Sequence, residues 1–104
     1  ETVRSALSAE GGLSLGLSDI AKRLYMSERT LKRRLMAQGT SFAALIEQVR
    51  RERATVLLET SDLPLSEVAE QVGYTELANF TRAFRRWTGV TPHRFRRGER
   101  ITPG

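Results

Sequence analysis

Cysteine is absent from this 104-residue chain, which removes disulfides, thiolate zinc sites and thiol chemistry at one stroke. Histidine is nearly absent. The single one, His93, lies beside Pro92 and among arginines, and reads as a solvated residue at a helix start. No paired carboxylates sit in an apolar setting, and no glycine-rich loop could cradle a phosphate, so the pattern argues against an enzyme, the first rival reading, and implies no cofactor and no metal. No apolar run approaches the ~18 residues that a membrane span needs. Residues Glu1-Thr2-Val3-Arg4 carry neither an initiator Met nor a signal-peptide pattern. The expectation is a fragment of a longer protein whose partner domain lies elsewhere, and the lack of cysteine permits a cytoplasmic home.

Apolar residues are also modest, at 39% against 28% charged, so the core is small and the charged surface large. The net charge is +5, and a basic small domain points to nucleic acid or an anionic membrane. The charge is unevenly spread. Residues 17–39 sum to +4 and residues 90–104 to +3, whereas the 50 residues between are close to neutral.

What the sequence does contain is a repeat. Leu17-Ser18-Asp19-Ile20-Ala21 through Ser27-Glu28 aligns without a gap on Leu65-Ser66-Glu67-Val68-Ala69 through Thr75-Glu76. With one inserted residue Leu31 then falls on Phe80 and Leu35 on Phe84; with one more, Gly39 falls on Gly89. Each copy reads as two helices about a tight turn. Ser18 and Ser66 are the expected caps of the first helix, each followed by an acid that suits the positive end of the helix dipole. Ile20, Ala21 and Leu24, and then Val68, Ala69 and Val72, share a face. The breaks fall at Tyr25-Met26 and Gly73-Tyr74, and Ser27 and Thr75 are the expected caps of the second helix. Its inward stripe is Leu31 and Leu35 in one copy, and Phe80, Phe84 and Trp87 in the other. Gly39 and Gly89 end it.

Between the copies, Phe42, Leu45, Ile46, Val49, Val56 and Leu57 recur at helical spacing, with Arg50, Arg51 and Glu52 outside. That predicts one helix from Ser41 to about Thr60, roughly 27–30 Å long, which Ser61-Asp62-Leu63-Pro64 stops. Thr91-Pro92 opens a short closing helix, and residues 2–9 form another that Gly11-Gly12 closes. No period-two pattern competes, so the fold is all-α. The expected boundaries are a lead-in over 1–16, a first helix-turn-helix over 17–39, and a linker helix over 40–62. A second helix-turn-helix with its closing helix follows over 63–98, then a frayed tail over 99–104.

The second helix of a helix-turn-helix can enter the major groove of DNA. With Leu31 and Leu35 facing inward, the opposite face of the first copy presents Arg29, Lys32, Arg33 and Met36. Arg and Lys donate to guanine O6 and N7, so the three cations suit base edges. In the second copy Leu77, Ala78, Thr81, Arg82 and Arg85 face outward with Asn79 at the edge. Arg82 is the counterpart of Arg33, Asn79 could pair with an adenine edge, and Leu77 and Ala78 offer only apolar contact. Ser27, Thr30, Arg34, Thr75, Arg85 and Arg94 are candidate phosphate ligands. A linker of about 30 Å suits two groove segments about 34 Å apart. Two rivals stay open beside DNA: a protein-interaction module on the same fold, and a basic helix on a membrane surface, which would need a broad apolar face that the core already uses.

The residues from about Leu15 to Arg97 resemble the DNA-binding domain of the AraC/XylS family of transcription regulators. The resemblance rests on Ser66-Glu67-Val68-Ala69, Val72-Gly73-Tyr74, the run from Asn79 to Arg86, and Thr91-Pro92-His93-Arg94-Phe95-Arg96. In the first half it rests on Ile20-Ala21, Met26-Ser27, Arg29-Thr30-Leu31-Lys32-Arg33 and Gly39-Thr40-Ser41-Phe42. It implies a homeodomain-like tandem of about seven helices. It also implies base contacts by Arg29, Lys32, Arg33, Leu77, Ala78, Asn79, Thr81 and Arg82 on promoter double-stranded DNA. Family members commonly activate transcription by touching RNA polymerase, and sense a small-molecule effector through an N-terminal domain. The chain departs from many members at Leu77 and Ala78, where polar side chains often occur.

Overall fold

The computed structural model describes residues 2–9 and 11–98. Among these residues there are seven α-helices, one 3-10 turn and no strand. In chain order the helices are α1 (Thr2–Ser8), α2 (Leu17–Arg23), α3 (Glu28–Ala37), α4 (Phe42–Thr60), α5 (Leu65–Gln71), α6 (Leu77–Thr88) and α7 (Pro92–Arg96). The frayed tail expected beyond Gly98 lies outside the described residues. The chain divides into two compact units between Arg50 and Arg51. The long helix α4 is therefore shared, its first half belonging to one unit and its second half to the other.

The first unit packs α1, the 3-10 turn Gly12–Ser14, α2, α3 and the start of α4. Its core is aliphatic: Val3, Leu7, Leu13, Ile20, Ala21, Leu31, Leu35, Leu45 and Val49 are buried. Gly12 has a steric reason to be glycine, because a Cβ there would stand 2.2 Å from the Ala6 carbonyl oxygen and 2.7 Å from that of Leu7. The second unit packs the rest of α4 with α5, α6 and α7. Its core adds rings: Phe80 and Phe84 are fully buried and Phe95 nearly so. Phe84 stands edge-on to Phe95 at 5.1 Å and to Trp87 at 6.2 Å, and Tyr74 joins Phe80 at 5.8 Å. Such tilted pairs contribute beyond the area that they bury.

Both helix-turn-helix turns are Schellman motifs. In the first, Tyr25 N–H donates to the Lys22 carbonyl and Met26 N–H to that of Ala21; in the second, Gly73 donates to Glu70 and Tyr74 to Ala69. The motif requires a left-handed residue. Gly73 meets that need at φ 93°, whereas in the first turn a tyrosine holds it, Tyr25 at φ 56°. Gly39 takes the same role after α3 at φ 78°, whereas Gly89 ends α6 at φ 85° with a single bond from its N–H to the Arg85 carbonyl at 2.8 Å.

Four expectations need correction. Ser18 and Ser66 do not cap α2 and α5; the caps are Gly16 and Pro64, two residues earlier. Proline is preset to the extended conformation that a cap needs, and the Asp19 carboxylate accepts from the Gly16 N–H at 3.4 Å. Thr75 does not cap α6, because the extra residue of the second copy lies in the turn and moves the cap to Glu76. Ser27 does cap α3, accepting from the Thr30 N–H at 3.1 Å. On α4, Val56 is 54% exposed while Ala54 and Leu58 are buried. The buried positions step by five residues from Val49 to Ala54, so no single stripe runs the length of the helix. Arg50 is half-buried rather than outside, and its Nη2 donates to the Leu13 carbonyl at 2.9 Å.

Candidate nucleic-acid interface

The exposed face of α3 follows from what its other face buries. Leu31 and Leu35 are four residues apart, hence one above the other on the helix, and both are sealed in the core. That fixes the rotation of α3 and turns Arg29, Lys32 and Arg33 to solvent. These three line one open concavity with Met36, a side chain left 74% exposed. Three cations and one flexible thioether thus share a ridge with no acid among its lining residues. Arg34 is exposed but does not line that concavity. At the helix start, the Ser27 hydroxyl donates to Thr30 Oγ1 at 3.0 Å as well as accepting from the Thr30 N–H. A phosphate offers only acceptors, so Ser27 would have to give up this bond to hold one.

The face of α6 is fixed in the same way by Phe80 and Phe84, with Ala83 buried between them. Leu77, Ala78, Asn79, Arg82 and Arg85 are exposed, and Thr81 is half-buried. Leu77 opens the helix with 40% of its surface in solvent. Arg82 Nη2 donates to Asn79 Oδ1, one turn away on the same face. Thr75 is exposed in the turn before α6, and Arg94 is exposed on α7, whose cap is Thr91, accepting from the Arg94 N–H at 3.2 Å. Trp87 is half-buried at the rim of the ring cluster, not at its centre.

Arg96 contributes to the positive charge of residues 90–104, but two of its three guanidinium nitrogens are engaged inside the unit. Nη1 donates to the Leu63 carbonyl at 2.6 Å and Nε to that of Leu58 at 3.4 Å. Leu58 lies in the last turn of α4, where carbonyls lack helical partners and a cation is favoured. Thr60 and Ser61 hydroxyls satisfy the neighbouring carbonyls of Val56 and Leu57 at 2.6 and 2.7 Å. Arg96 therefore closes a helix end inside its unit. Its separation of 33 and 38 residues from these partners gave no local signal.

Among the described residues no helix is long and apolar enough to cross a membrane, and no group of histidines and acids could hold a metal.

Residues 20–98 match the family model described as "Helix-turn-helix domain". An HTH-type transcriptional regulator of Mycobacterium tuberculosis is 43% identical over 95 residues, which is 91% of this chain and 28% of that protein. The chain spans about a quarter to a third of the length of the curated relatives that it matches. Among solved structures, a transcriptional regulator of Chromobacterium violaceum with an AraC-type DNA-binding domain superposes with a TM-score of 0.78 at 26% identity, covering 100% of this chain and 92% of that one. The DNA-binding domain of AdpA, solved in complex with a target DNA, has a TM-score of 0.78 at 29% identity over 94% of this chain and 92% of that one.

Proposed function

The chain belongs to the AraC-type helix-turn-helix family of DNA-binding transcription regulators, not to an enzyme family, and from that premise we propose that it reads double-stranded DNA at a specific sequence through α3 and α6. The observation that carries the proposal is the ridge on α3: Arg29, Lys32 and Arg33 held outward by a helix whose rotation is locked by Leu31 and Leu35. These cations donate to guanine edges, and Met36 beside them offers apolar contact, for which a thymine methyl is the natural partner. On α6, Arg82 and Asn79 supply hydrogen bonds, Thr81 a hydroxyl, and Leu77 and Ala78 apolar contact only. Thr30, Arg34, Thr75, Arg85 and Arg94 hold phosphates, with Ser27 joining them once its bond to Thr30 is released.

The helix of 19 residues to which both units contribute is roughly 28 Å long at 1.5 Å per residue. Its length supports one chain addressing two adjacent major-groove segments of an asymmetric site. The short span relative to its relatives supports a longer regulator, with an effector-sensing domain outside this chain. The family resemblance favours activation through RNA polymerase in a bacterial cytoplasm.

Fluorescence anisotropy against salt tests the DNA reading. The logarithm of affinity should fall linearly with the logarithm of salt, with a slope near −0.9 for each phosphate neutralised. A flat dependence would instead indicate a protein-binding surface.

A further inference from the structure

Of the five base-contact candidates on α6, only Arg82 is charged, and Leu77 and Ala78 carry no side-chain polar atom. Hydrogen-bonded reading by this helix therefore concentrates on Arg82 and its immediate neighbours. Arg82 is not a loose side chain. Its Nη2 donates to the oxygen of Asn79, an exposed residue one turn earlier. An asparagine that reads adenine must use that same oxygen to accept from N6–H, while its amide nitrogen donates to N7. With a guanidinium at the oxygen, an approaching N6–H2 group meets a positive donor beside the acceptor it needs. What the pair shows outward is donors: the remaining N–H groups of Arg82 and the amide N–H2 of Asn79. Guanine presents two acceptors there, O6 and N7; adenine presents one acceptor and a competing donor.

We propose that Asn79 is a positioning residue which holds Arg82 for guanine, and that it does not itself read adenine. The long arginine side chain is ordered before DNA arrives, so less freedom is lost on binding and wrong bases are rejected more sharply. This inference rests on the reading of α6 as a base-contact helix. Nothing equivalent operates on α3. The residue in register with Asn79 there is Thr30, whose hydroxyl oxygen accepts from Ser27.

Selection of duplexes from a random pool decides the matter, followed by affinity measurements on the selected site with each base pair substituted in turn. Arg82→Ala should erase a guanine preference at one base pair. Asn79→Ala should weaken the preference at that same pair by about fivefold, the fold-change that one hydrogen bond is worth. Added to Arg82→Ala, it should change nothing further. Asn79→Asp should keep the guanine preference, since a carboxylate accepts from a guanidinium more strongly than an amide does, although affinity falls on every sequence. The proposal is overturned if Asn79→Ala abolishes an adenine preference at another pair and leaves the guanine preference whole. If Arg82→Ala alters no base preference at all, the base-contact reading of α6 fails first and takes the inference with it. Both residues are exposed, so circular dichroism and melting of each variant should match the parent.

Discussion

Leu31 and Leu35 close the first helix pair, and in the second the same two positions are Phe80 and Phe84, joined by Tyr74, Trp87 and Phe95. Outward, the residues in register with Arg29 and Lys32 are Ala78 and Thr81, while Arg33 is matched by Arg82. The inward positions thus keep their apolar character and change in size, whereas two of the three outward positions change in kind. An apolar inward face is what any helix pair needs in order to fold; an outward face is free to differ with the sequence that it meets. The aromatic packing lies in the second unit, and on the proposed function most cationic base reading falls to the first.

The largest test of that division is in the cores. Phe84→Ala removes the ring at the centre of the second cluster and should cost about 3–5 kcal/mol, against about 2–5 kcal/mol for Leu31→Ala in the first unit. Urea unfolding would measure both. Trp87→Ala, from a half-buried position, should fall below Phe84→Ala; an equal loss would make the rim as important as the centre.

Next comes the division between reading and anchoring. Arg33→Ala should cost about 1–3 kcal/mol of binding and relax preference at one base pair, whereas Arg85→Ala should weaken all sequences alike and lower the salt slope by about 1. Competition binding with single-base variants separates the two. A uniform loss from Arg33→Ala would merge the roles that the comparison keeps apart.

The smallest effect concerns the turns. Tyr25 sits at φ 56° with 97% of its surface in solvent, where the second unit has Gly73. A left-handed non-glycine residue costs about 1–2 kcal/mol, partly offset by the lower unfolded-state entropy of tyrosine compared with glycine. Tyr25→Gly should therefore stabilise the first unit by at most about 1 kcal/mol, and Gly73→Ala should destabilise the second by a similar amount. Thermal melting reads both. A destabilised Tyr25→Gly would mean that the ring makes a contact not visible in the structure.

Much of this architecture was legible in the residues, because periodicity reports directly on which face is buried. The ridge of Arg29, Lys32 and Arg33 follows from Leu31 and Leu35, and the structure presents it as expected. The caps were less legible. Ser18 and Ser66 are good capping residues, yet Gly16 and Pro64 take that position, since cap choice depends on backbone conformation as well as on side-chain chemistry. The extra residue of the second copy could be placed on either side of Thr75-Glu76 by similarity alone; the hydrogen bonds put it in the turn. Arg50 and Arg96 looked like surface charge because their carbonyl partners lie more than 30 residues away. The Asn79–Arg82 bond had a signal, the three-residue spacing, but spacing alone does not show that the two side chains meet.

The division of labour is tested most directly by footprinting the parent chain beside a variant with Arg29, Lys32 and Arg33 all changed to alanine. The parent should protect two tracts about one helical turn apart, and the variant should lose the tract covered by α3 while weakly retaining the other. Full protection by the variant, or no protected tract with the parent at moderate salt, would contradict the assignment of DNA reading to that ridge.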